Sequence, residues 1–278
     1  MNYRHAFHAG NFADVVKHAV LSLALERLMA KPAPFVYVDT HAGAGRYDLT
    51  SSEARRTNEA DSGIGRLLAA PPIPALASYL EIVRQLNAGE ATTTRYPGSP
   101  WIARKLLRAQ DRLLLCEARA DDALALKRAM SGDRRVELRA SDGWSVLKSD
   151  LPPRERRGLV LIDPPYEAGD EHERLARGLR RAWRRWATGT YLAWYPIKAR
   201  APVVALHEAV RAAGLRRVHA LELLLEPERE DRLAGCGLLL VNPPWPILDR
   251  LGEIMPALAA RLARDGAPRH TLETLVGE

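Results

Sequence analysis

Short apolar runs alternate with amphipathic stretches along most of the chain, and this pattern predicts an α/β fold. The stretches between the first five apolar runs have the apolar spacing of helices. Because a strand–helix–strand unit places its two strands in parallel, we expect a mostly parallel sheet of seven strands. The predicted strands are residues 35–40, 112–118, 135–140, 158–165, 190–196, 218–226 and 237–244.

The last two predicted strands are connected differently. Only PEREDRLAGC separates them, which is too short for a crossover helix, so we expect them to pair antiparallel. The end of the final strand, in VNPPW (241–245), should then point to the edge of the sheet opposite the ends of the parallel strands. We therefore interpret Asn242 as a turn residue and Trp245 as a packing residue.

The connection between the first two strands is longer than one crossover helix requires. Ser99 and Pro100 have the pattern of an N-cap and a first helical residue, and the helix that they begin suffices for the crossover. Residues 47–98 are thus predicted to form an inserted, mostly helical subdomain within a single domain of residues 1–278. Such an insertion favours a surface that contacts a substrate or partner.

The charge balance adds a candidate partner. Lys and Arg outnumber Asp and Glu by 41 to 34, which indicates a polyanion such as nucleic acid, although an Arg- and Ala-rich composition alone would give the same excess. Cys116 and Cys236 lie in apolar runs, so we expect buried thiols and no disulfide. No run has the length of a membrane span, and we expect a cytoplasmic protein.

Four predicted strand ends carry residues suited to a nucleotide-like cofactor. In an open parallel sheet, ligands bind beyond the carboxyl ends of the strands. The first strand leads into DTHAGAGRY, whose glycines allow a ligand to approach the backbone closely. The second ends at Glu117, which can accept both ribose hydroxyls, and the third is followed by Asp142 and Gly143. The fourth is followed by DPPY (163–166), and the chain has no GxxxxGK[ST] loop of an ATPase.

These features resemble class I S-adenosyl-L-methionine-dependent methyltransferases, and DPPY resembles the amino-methylating group among them. YRHAFHAGNFADVVKHAVL near the amino terminus, with DTHAGAGRY, YPGSP and DPPYE, resembles the RlmJ-type family of 23S ribosomal RNA adenine-N6 methyltransferases. The resemblance extends over essentially the whole chain. It implies a Rossmann-like fold, S-adenosyl-L-methionine as cofactor, and methylation of the N6 amine of an adenine in 23S ribosomal RNA.

The resemblance also implies roles for individual residues. The positions that match the family's cofactor contacts are His18, His41, Ser99, Glu117, Asp142, Gly143 and Asp163. Those that match a substrate-side segment near the reacting adenine are Tyr3, His5 and Lys17. Glu117 would hold the ribose of the cofactor and Asp142 its adenine edge. Without the resemblance, His18 would be interpreted as a solvated helix histidine.

The chemistry of an adenine amine explains why DPPY suits this reaction. The amine is a poor nucleophile because its lone pair is conjugated with the ring. Two acceptors aimed at its two N–H bonds would draw the lone pair out of conjugation, and Asp163 and the Pro164 carbonyl can supply them. Tyr166 would stack on the base, and Asp163 can also take the proton that the amine loses. In isolation, Asp-Pro-Pro would be interpreted as a rigid strand exit.

The first helix is predicted to begin after Asn11, with Asp14 as the reciprocal acid of the cap. Its apolar residues form one stripe, and Asp14, Lys17 and His18 fall on the opposite face. The nearby histidines lack a known metal spacing, so we expect no metal site. A later helix within residues 173–189 has an arginine-rich side that either contacts phosphate or is simply solvated.

Two other functions remain open at this point. A DNA adenine methyltransferase would use the same chemistry, and a catalytically silent RNA-binding protein could retain the fold. For the RNA enzyme, we expect protein-free or partly assembled RNA as the substrate, because such a pocket reaches unpaired bases. We expect the enzyme to act as a monomer, without a membrane partner.

Overall fold

A mixed β-sheet of eight strands organises the described part of the computed structural model, residues 4–167, 169–263 and 267–278. The parallel strands are β1 (Val36–Asp39), β4 (Arg112–Cys116), β5 (Val136–Arg139), β6 (Gly158–Ile162) and β7 (Thr190–Ile197). The others are β8 (Val218–Leu224), β9 (Gly235–Val241) and β10 (Arg269–Val276). Strand β9 is antiparallel to β7 and β8, and β10 is antiparallel to β8.

The strand order, β10-β8-β9-β7-β6-β1-β4-β5, confirms the predicted α/β fold and the antiparallel pairing of the last two predicted strands. Without β10, this is the Rossmann-like arrangement expected of class I methyltransferases. The expected seven strands were one too few within the described residues, because β10 adds an eighth. Strand β10 has the sequence RHTLETLV, and most of its residues are exposed at the edge of the sheet. It therefore lacks the apolar run by which the other strands were predicted.

Helices cover both faces of the sheet and form two apolar cores. The first face carries α1 (Phe12–Met29), α4 (Ala77–Leu86), α5 (Ser99–Leu106), α6 (Ala120–Ala129) and α10 (Ile247–Leu262). The second face carries α7 (Gly143–Ser149), α8 (Glu171–Arg185) and α9 (Arg200–Ala212). Among the described residues, no helix combines the length and apolar character that crossing a membrane requires.

The long connection after β1 is a helical segment whose two ends pair as strands. Strand β2 (Arg46–Asp48) pairs antiparallel with β3 (Arg95–Pro97). Between them lie α2 (Ser52–Thr57), a π-helical turn (Asp61–Gly65), α3 (Arg66–Ala69), a 3₁₀ turn (Pro74–Leu76) and α4. Gly63 packs so closely that an added Cβ would lie 2.1 Å from the Gly10 carbonyl oxygen. The segment is thereby anchored to the residues that precede α1.

Helix α1 is buried on all sides, which differs from the predicted polar face. Asn11 caps the helix as expected, with its side chain accepting from the Asp14 N–H at 2.9 Å. However, Asp14, Lys17 and His18 are only 2%, 4% and 1% exposed. Helices α4, α5 and α10 pack against α1, so its polar side chains cannot reach solvent and must find partners inside the protein.

The two Pro-Pro sequences lie at opposite edges of the sheet, as predicted. The Asn242 side-chain amide donates to the carbonyl oxygens of Ala187, at 2.6 Å, and Gly189, at 2.9 Å, just before β7 begins. Asn242 has a φ of 48°, which confirms it as a turn residue. The interpretation of Trp245 as a packing residue is wrong, because it is 74% exposed. Its turn lies outside the core, and the Arg27 guanidinium lies 5.6 Å from its ring centre.

Candidate active site

The parallel strands bring the four predicted strand ends to one edge of the sheet. Asp39 at the end of β1 is in register with Leu115 of β4 and Leu161 of β6. Beyond the strand, the Thr40 N–H donates to the Leu161 carbonyl at 3.1 Å, and the Ala42 N–H donates to the Cys116 carbonyl at 2.8 Å. The loops after β1, β4 and β6 therefore lie side by side.

The turn after β1 positions the carboxylate at the end of β4. Gly43 has a φ of 60°, and an added Cβ there would lie 2.1 Å from the Tyr47 hydroxyl, so a side chain is excluded. The Gly43 N–H donates to Glu117 Oε2 at 2.8 Å, and the Arg119 N–H donates to Oε1 at 2.8 Å. Burial raises the pKa of Glu117. Each of its oxygens still has a lone pair for a ligand hydroxyl.

Helix α7 begins in direct contact with the first strand end. Gly143 lies so close that an added Cβ would be 1.7 Å from the Thr40 carbonyl oxygen. Asp142 caps the helix by accepting from the Trp144 N–H at 3.1 Å, and its other oxygen accepts from Arg174 at 3.1 Å. With 57% of its side chain exposed, Asp142 is accessible to a ligand at this edge.

His41 lies in the same loop and is held as a neutral ring. Its Nδ1 lies 2.8 Å from the Thr40 hydroxyl oxygen, and its ring meets the Trp144 ring edge-on, with 5.4 Å between centroids. Burial lowers the pKa of His41 to about 4. At neutral pH this side chain is thus a polar wall of the site and carries no charge.

Asp39 is a buried carboxylate to which the sequence reasoning gave no role. It is 0% exposed and accepts hydrogen bonds from the Tyr37 hydroxyl, at 2.6 Å, and the Ser99 hydroxyl, at 2.7 Å. Burial raises its pKa to about 6. The prediction of Ser99 as an N-cap is wrong, because α5 begins at Ser99 itself and the hydroxyl is used by Asp39. In the sequence, Asp39 could have been recognised because it is an acidic residue at the end of the first buried strand.

A chain of buried ionisable groups connects α1 to DPPY. Lys17 Nζ lies 2.5 Å from Asp163 Oδ2 and 2.8 Å from Asp14 Oδ1. Asp14 Oδ2 lies 2.9 Å from His5 Nε2 and also accepts from the Gly10 N–H at 2.9 Å. Oδ1 of Asp163 has no hydrogen-bond partner within the described ranges, so it can still accept a bond from a substrate.

The electrostatics of this chain keep Lys17 and Asp14 charged although both are buried. Burial disfavours the charge on Lys17, but the carboxylates of Asp14 and Asp163 outweigh it and hold the lysine pKa well above its usual range. Burial likewise opposes the charge on Asp14, whose pKa is nevertheless held well below its usual range by His5 and Lys17. The sequence predicted Asp14 as a capping residue on the polar face of the helix. It could not predict the contacts of Asp14 to Lys17 and His5, because these depend on how the amino-terminal segment folds back.

Tyr166 is held by its neighbours in a conformation that bulky residues avoid. Its φ is 51°, in the left-handed region, which costs on the order of 1–3 kcal/mol. Its hydroxyl donates to the Trp194 carbonyl at 2.9 Å, and its ring meets His172 and Trp194 edge-on at 5.0 and 5.6 Å between centroids. Pro164 beside it is buried. The turn is therefore rigidly packed, while Tyr166 stays partly exposed at the edge.

His18 is a core histidine with one nitrogen engaged. Its Nδ1 lies 2.7 Å from the Tyr96 hydroxyl, which in turn lies 2.8 Å from the Tyr79 hydroxyl. Burial lowers the pKa of His18 to about 3, so the ring is neutral. Its Nε2 has no hydrogen-bond partner in the part of the chain that the structure describes. Tyr3, the remaining predicted substrate-side residue, lies outside the described residues.

Apart from His18, whose partner is Tyr96 in the core, the predicted residues that the structure describes form two adjoining groups. His41, Glu117, Asp142 and Gly143 lie in the loops at the ends of β1, β4 and β5, and Ser99 is linked to them through Asp39. His5, Lys17 and Asp163 belong to the buried ionic chain that reaches the end of β6. Among the described residues, no group of His, Cys, Asp and Glu is arranged to hold a metal ion.

Comparison with known proteins agrees with this geometry. A family model described as Ribosomal RNA large subunit methyltransferase D, RlmJ, matches residues 32–274. Proteins named Ribosomal RNA large subunit methyltransferase J from Haemophilus influenzae and Escherichia coli are 41% and 40% identical over 280 residues, covering 100% of each chain. The crystal structure of protein LPL1258 from Legionella pneumophila is 32% identical, with a TM-score of 0.89 over 96% of this chain and 98% of that one. The chain belongs to the RlmJ family of ribosomal RNA large subunit methyltransferases.

Proposed function

We propose that this protein transfers a methyl group from S-adenosyl-L-methionine to the N6 amine of an adenine in 23S ribosomal RNA. The names of the two full-length relatives support a ribosomal RNA substrate. The observation that carries the choice of an amine is Asp163, whose Oδ2 is held by Lys17 while Oδ1 has no partner among the described residues. A carboxylate with one fixed oxygen and one available oxygen is suited to accept an N–H bond.

The residues at the sheet edge fit the cofactor. Glu117 would accept the ribose hydroxyls through the lone pairs that the backbone N–H groups leave free. The exposed carboxylate of Asp142 would bind the adenine edge, and the tight glycine positions Gly43 and Gly143 keep side chains out of the way. When bound, S-adenosyl-L-methionine supplies an electrophilic methyl group on a sulfonium. His18, His41 and Ser99 would complete the lining of this pocket.

Asp163 and Pro164 then orient the substrate amine. Asp163 Oδ1 and the Pro164 carbonyl accept the two N–H bonds, so the nitrogen lone pair leaves conjugation with the ring. Lys17 prevents the carboxylate from rotating, and Tyr166 fixes the plane of the base by stacking. Much of the rate would come from this positioning. As the amine becomes positively charged, Asp163 is placed to accept its proton.

The segment before α1 is proposed to lie on the substrate side. Tyr3, His5 and Lys17 would contact or position the target nucleotide, and His5 is tied to the ionic chain through Asp14. The enzyme is proposed to act as a monomer. We also propose that residues 47–98 form an inserted subdomain of a single domain, and that the enzyme acts in the cytoplasm on protein-free or partly assembled RNA.

A transfer assay with a tritium-labelled methyl donor tests the proposal. Purified protein is incubated with 23S RNA, with assembled large subunits and with duplex DNA, and the modified nucleoside is identified after digestion. We expect N6-methyladenosine in the protein-free RNA. Transfer to DNA alone would favour a DNA adenine methyltransferase, and RNA binding without any transfer would favour a silent RNA-binding protein.

A further inference from the structure

A groove of about 630 Å³ lies on the flank of the molecule, between α5 and the turn that follows α6. Its lining is strongly basic, with Arg104 and Lys105 on α5 and Arg134 and Arg135 on the turn. The only carboxylate that lines it among the described residues is Asp133. The groove is separate from the ionic chain around Asp163 and has no role in the reaction proposed above.

An indole ring at one end of the groove is surrounded by cations. The centre of the Trp101 ring lies 4.5 Å from the Arg46 guanidinium, 5.2 Å from that of Arg104 and 5.5 Å from Lys105 Nζ. The indole N–H is buried and has no hydrogen-bond partner among the described residues. Aromatic rings interleaved with cations are typical of surfaces that bind nucleic acid strands.

Two of the cations, Arg104 and Arg135, have a structural role and are paired with a carboxylate. Arg104 lies 3.3 Å from Asp133 and donates to the Ser131 carbonyl at 3.1 Å. Arg135 lies 2.6 Å from Asp133 and donates to the Arg104 carbonyl at 2.8 Å. These bonds hold the turn against α5, and they neutralise the charge of the Asp133 carboxylate.

The other three cations have no such partner. Arg46, Lys105 and Arg134 are exposed, and within the described ranges no carboxylate lies within ion-pair distance of their side chains. Like charges gathered around a groove repel each other and raise the local positive potential, which an anion would relieve. Several cations along one groove can bind successive phosphates of a nucleic acid strand.

We propose that this groove, which Trp101, Lys105 and Arg134 line and which Arg46 adjoins beside the Trp101 ring, binds the phosphate backbone of the RNA at a distance from the reacting adenine. The inference rests on the proposed function, since it assumes that RNA is the partner. It adds a docking surface on the β4–β5 flank of the sheet, where backbone contacts position the RNA without reading its sequence.

The location of the groove supports this role. Trp101 is two residues from Ser99, which bonds Asp39, and Arg46 directly follows the glycine turn that positions Glu117. Strands β6, β1 and β4 are neighbours, so the end of β6 and the end of β4 are about 10 Å apart. RNA entering at Asp163 would meet the Trp101 end of the groove first. It would then follow the groove to the turn before β5, which lies at the amino ends of β4 and β5.

The test is RNA affinity as a function of salt, measured by filter binding. The variant R46E/K105E/R134E removes three proposed phosphate contacts, so the slope of log K against log salt should fall by roughly 2–3. At 0.15 M salt the dissociation constant for 23S RNA should rise on the order of 100-fold. Melting temperature and affinity for S-adenosylhomocysteine should not change. If charge reversal prevents folding, R46Q/K105Q/R134Q should show the same effect to a smaller extent.

The matched control is K148E/R216E/R250E, which reverses three exposed cations outside the groove. The inference is supported when the groove variant loses affinity and salt dependence and the control variant does not. It is overturned when the groove variants bind RNA as the wild type does, or when both triple variants lose affinity equally. Methyl transfer by the wild type is measured in parallel. Failure of that transfer would refute the proposed function. The RNA affinities of the variants test the groove separately.

Discussion

At the residue scale, similar sequences have different surroundings. Asp163 and Asn242 each precede two prolines, but Asp163 meets the buried ammonium of Lys17, whereas Asn242 donates to two backbone carbonyls of a turn. The first residue is therefore placed for chemistry and the second for local structure. Their different surroundings come from the direction of their strands and not from the motif.

Substitution of these two residues should give opposite results. We expect Asp163→Ala to lower the single-turnover rate on RNA by on the order of 10²–10³, because the amine loses an acceptor that orients its lone pair. Asn242→Ala, the matched control, should keep its rate and lose only some stability through the turn. Melting curves exclude unfolding. An inactive Asn242→Ala with an active Asp163→Ala would place the site at the other edge of the sheet.

Substitution of Glu117 should weaken cofactor binding more than it destabilises the fold. Its carboxylate ends β4 and is already oriented by two backbone N–H groups. We expect Glu117→Ala to weaken S-adenosylhomocysteine binding by roughly 10–100-fold in calorimetry, the loss typical of hydrogen bonds to a charged group. Glu90→Ala, which changes an exposed glutamate before β3, is the control. Unchanged affinity in Glu117→Ala would remove this residue from the site.

At the element scale, the amino-terminal segment is joined to two parts of the molecule. His5 contacts Asp14 of α1, and His8 Nδ1 lies 2.9 Å from Glu59 in the helical segment between β2 and β3. A segment held at both places can position a substrate over the edge of the sheet. Among the described residues, the segment lies apart from the loops after the strands, which carry most groups of the proposed cofactor pocket.

Deletion of residues 1–9 should therefore abolish RNA methylation without affecting cofactor binding. We expect the truncated protein to bind S-adenosylhomocysteine with nearly unchanged affinity and to lose RNA methylation. The point variant His5→Ala removes one contact of the segment and should lie between wild type and truncation. Normal RNA turnover by the truncated protein, in a single-turnover assay, would contradict the substrate-side role.

At the scale of the whole molecule, buried histidines couple folding to pH. The pKa of His18 is lowered to about 3 in the folded protein by burial, against about 6.5 in an unfolded chain. Between these values the unfolded state binds more protons at this site, so the contribution of His18 to stability falls as the pH decreases below about 6.5. The maximum slope for one such group is about 1.4 kcal/mol per pH unit.

Urea unfolding at pH 7, 6 and 5 checks this coupling. We expect His18→Gln to flatten the loss of unfolding free energy on acidification, even if the variant is less stable at pH 7. His270→Gln, at an exposed position of β10, should retain the wild-type slope. Equal slopes in wild type and His18→Gln would show that His18 is not the group whose protonation opposes folding.

Local sequence signals predicted most of the architecture and the sheet edge at which the candidate site lies. Apolar runs with acidic or glycine ends are local signals, and they were sufficient for the parallel strands, the antiparallel β8–β9 pair and the edge that carries Glu117, Asp142 and Asp163. Local signals work here because strand formation and turn geometry depend on neighbours in the chain. The same signals failed for β10, whose pairing is provided by β8 and not by its own apolar character.

Which polar groups contact each other depends on the tertiary structure and could not be predicted from the sequence. Lys17 and Asp163 are 146 residues apart in sequence, and Ser99 and Asp39 are 60 apart, so no local pattern relates them. Burial of α1 on all sides forced Asp14 and Lys17 to pair inside the protein, since an unpaired charge there is strongly unfavourable. Likewise, the cations around Trp101 come from β2 and α5, which are brought together by the fold. Charge pairing and burial are properties of the packed chain, and a linear pattern does not contain them.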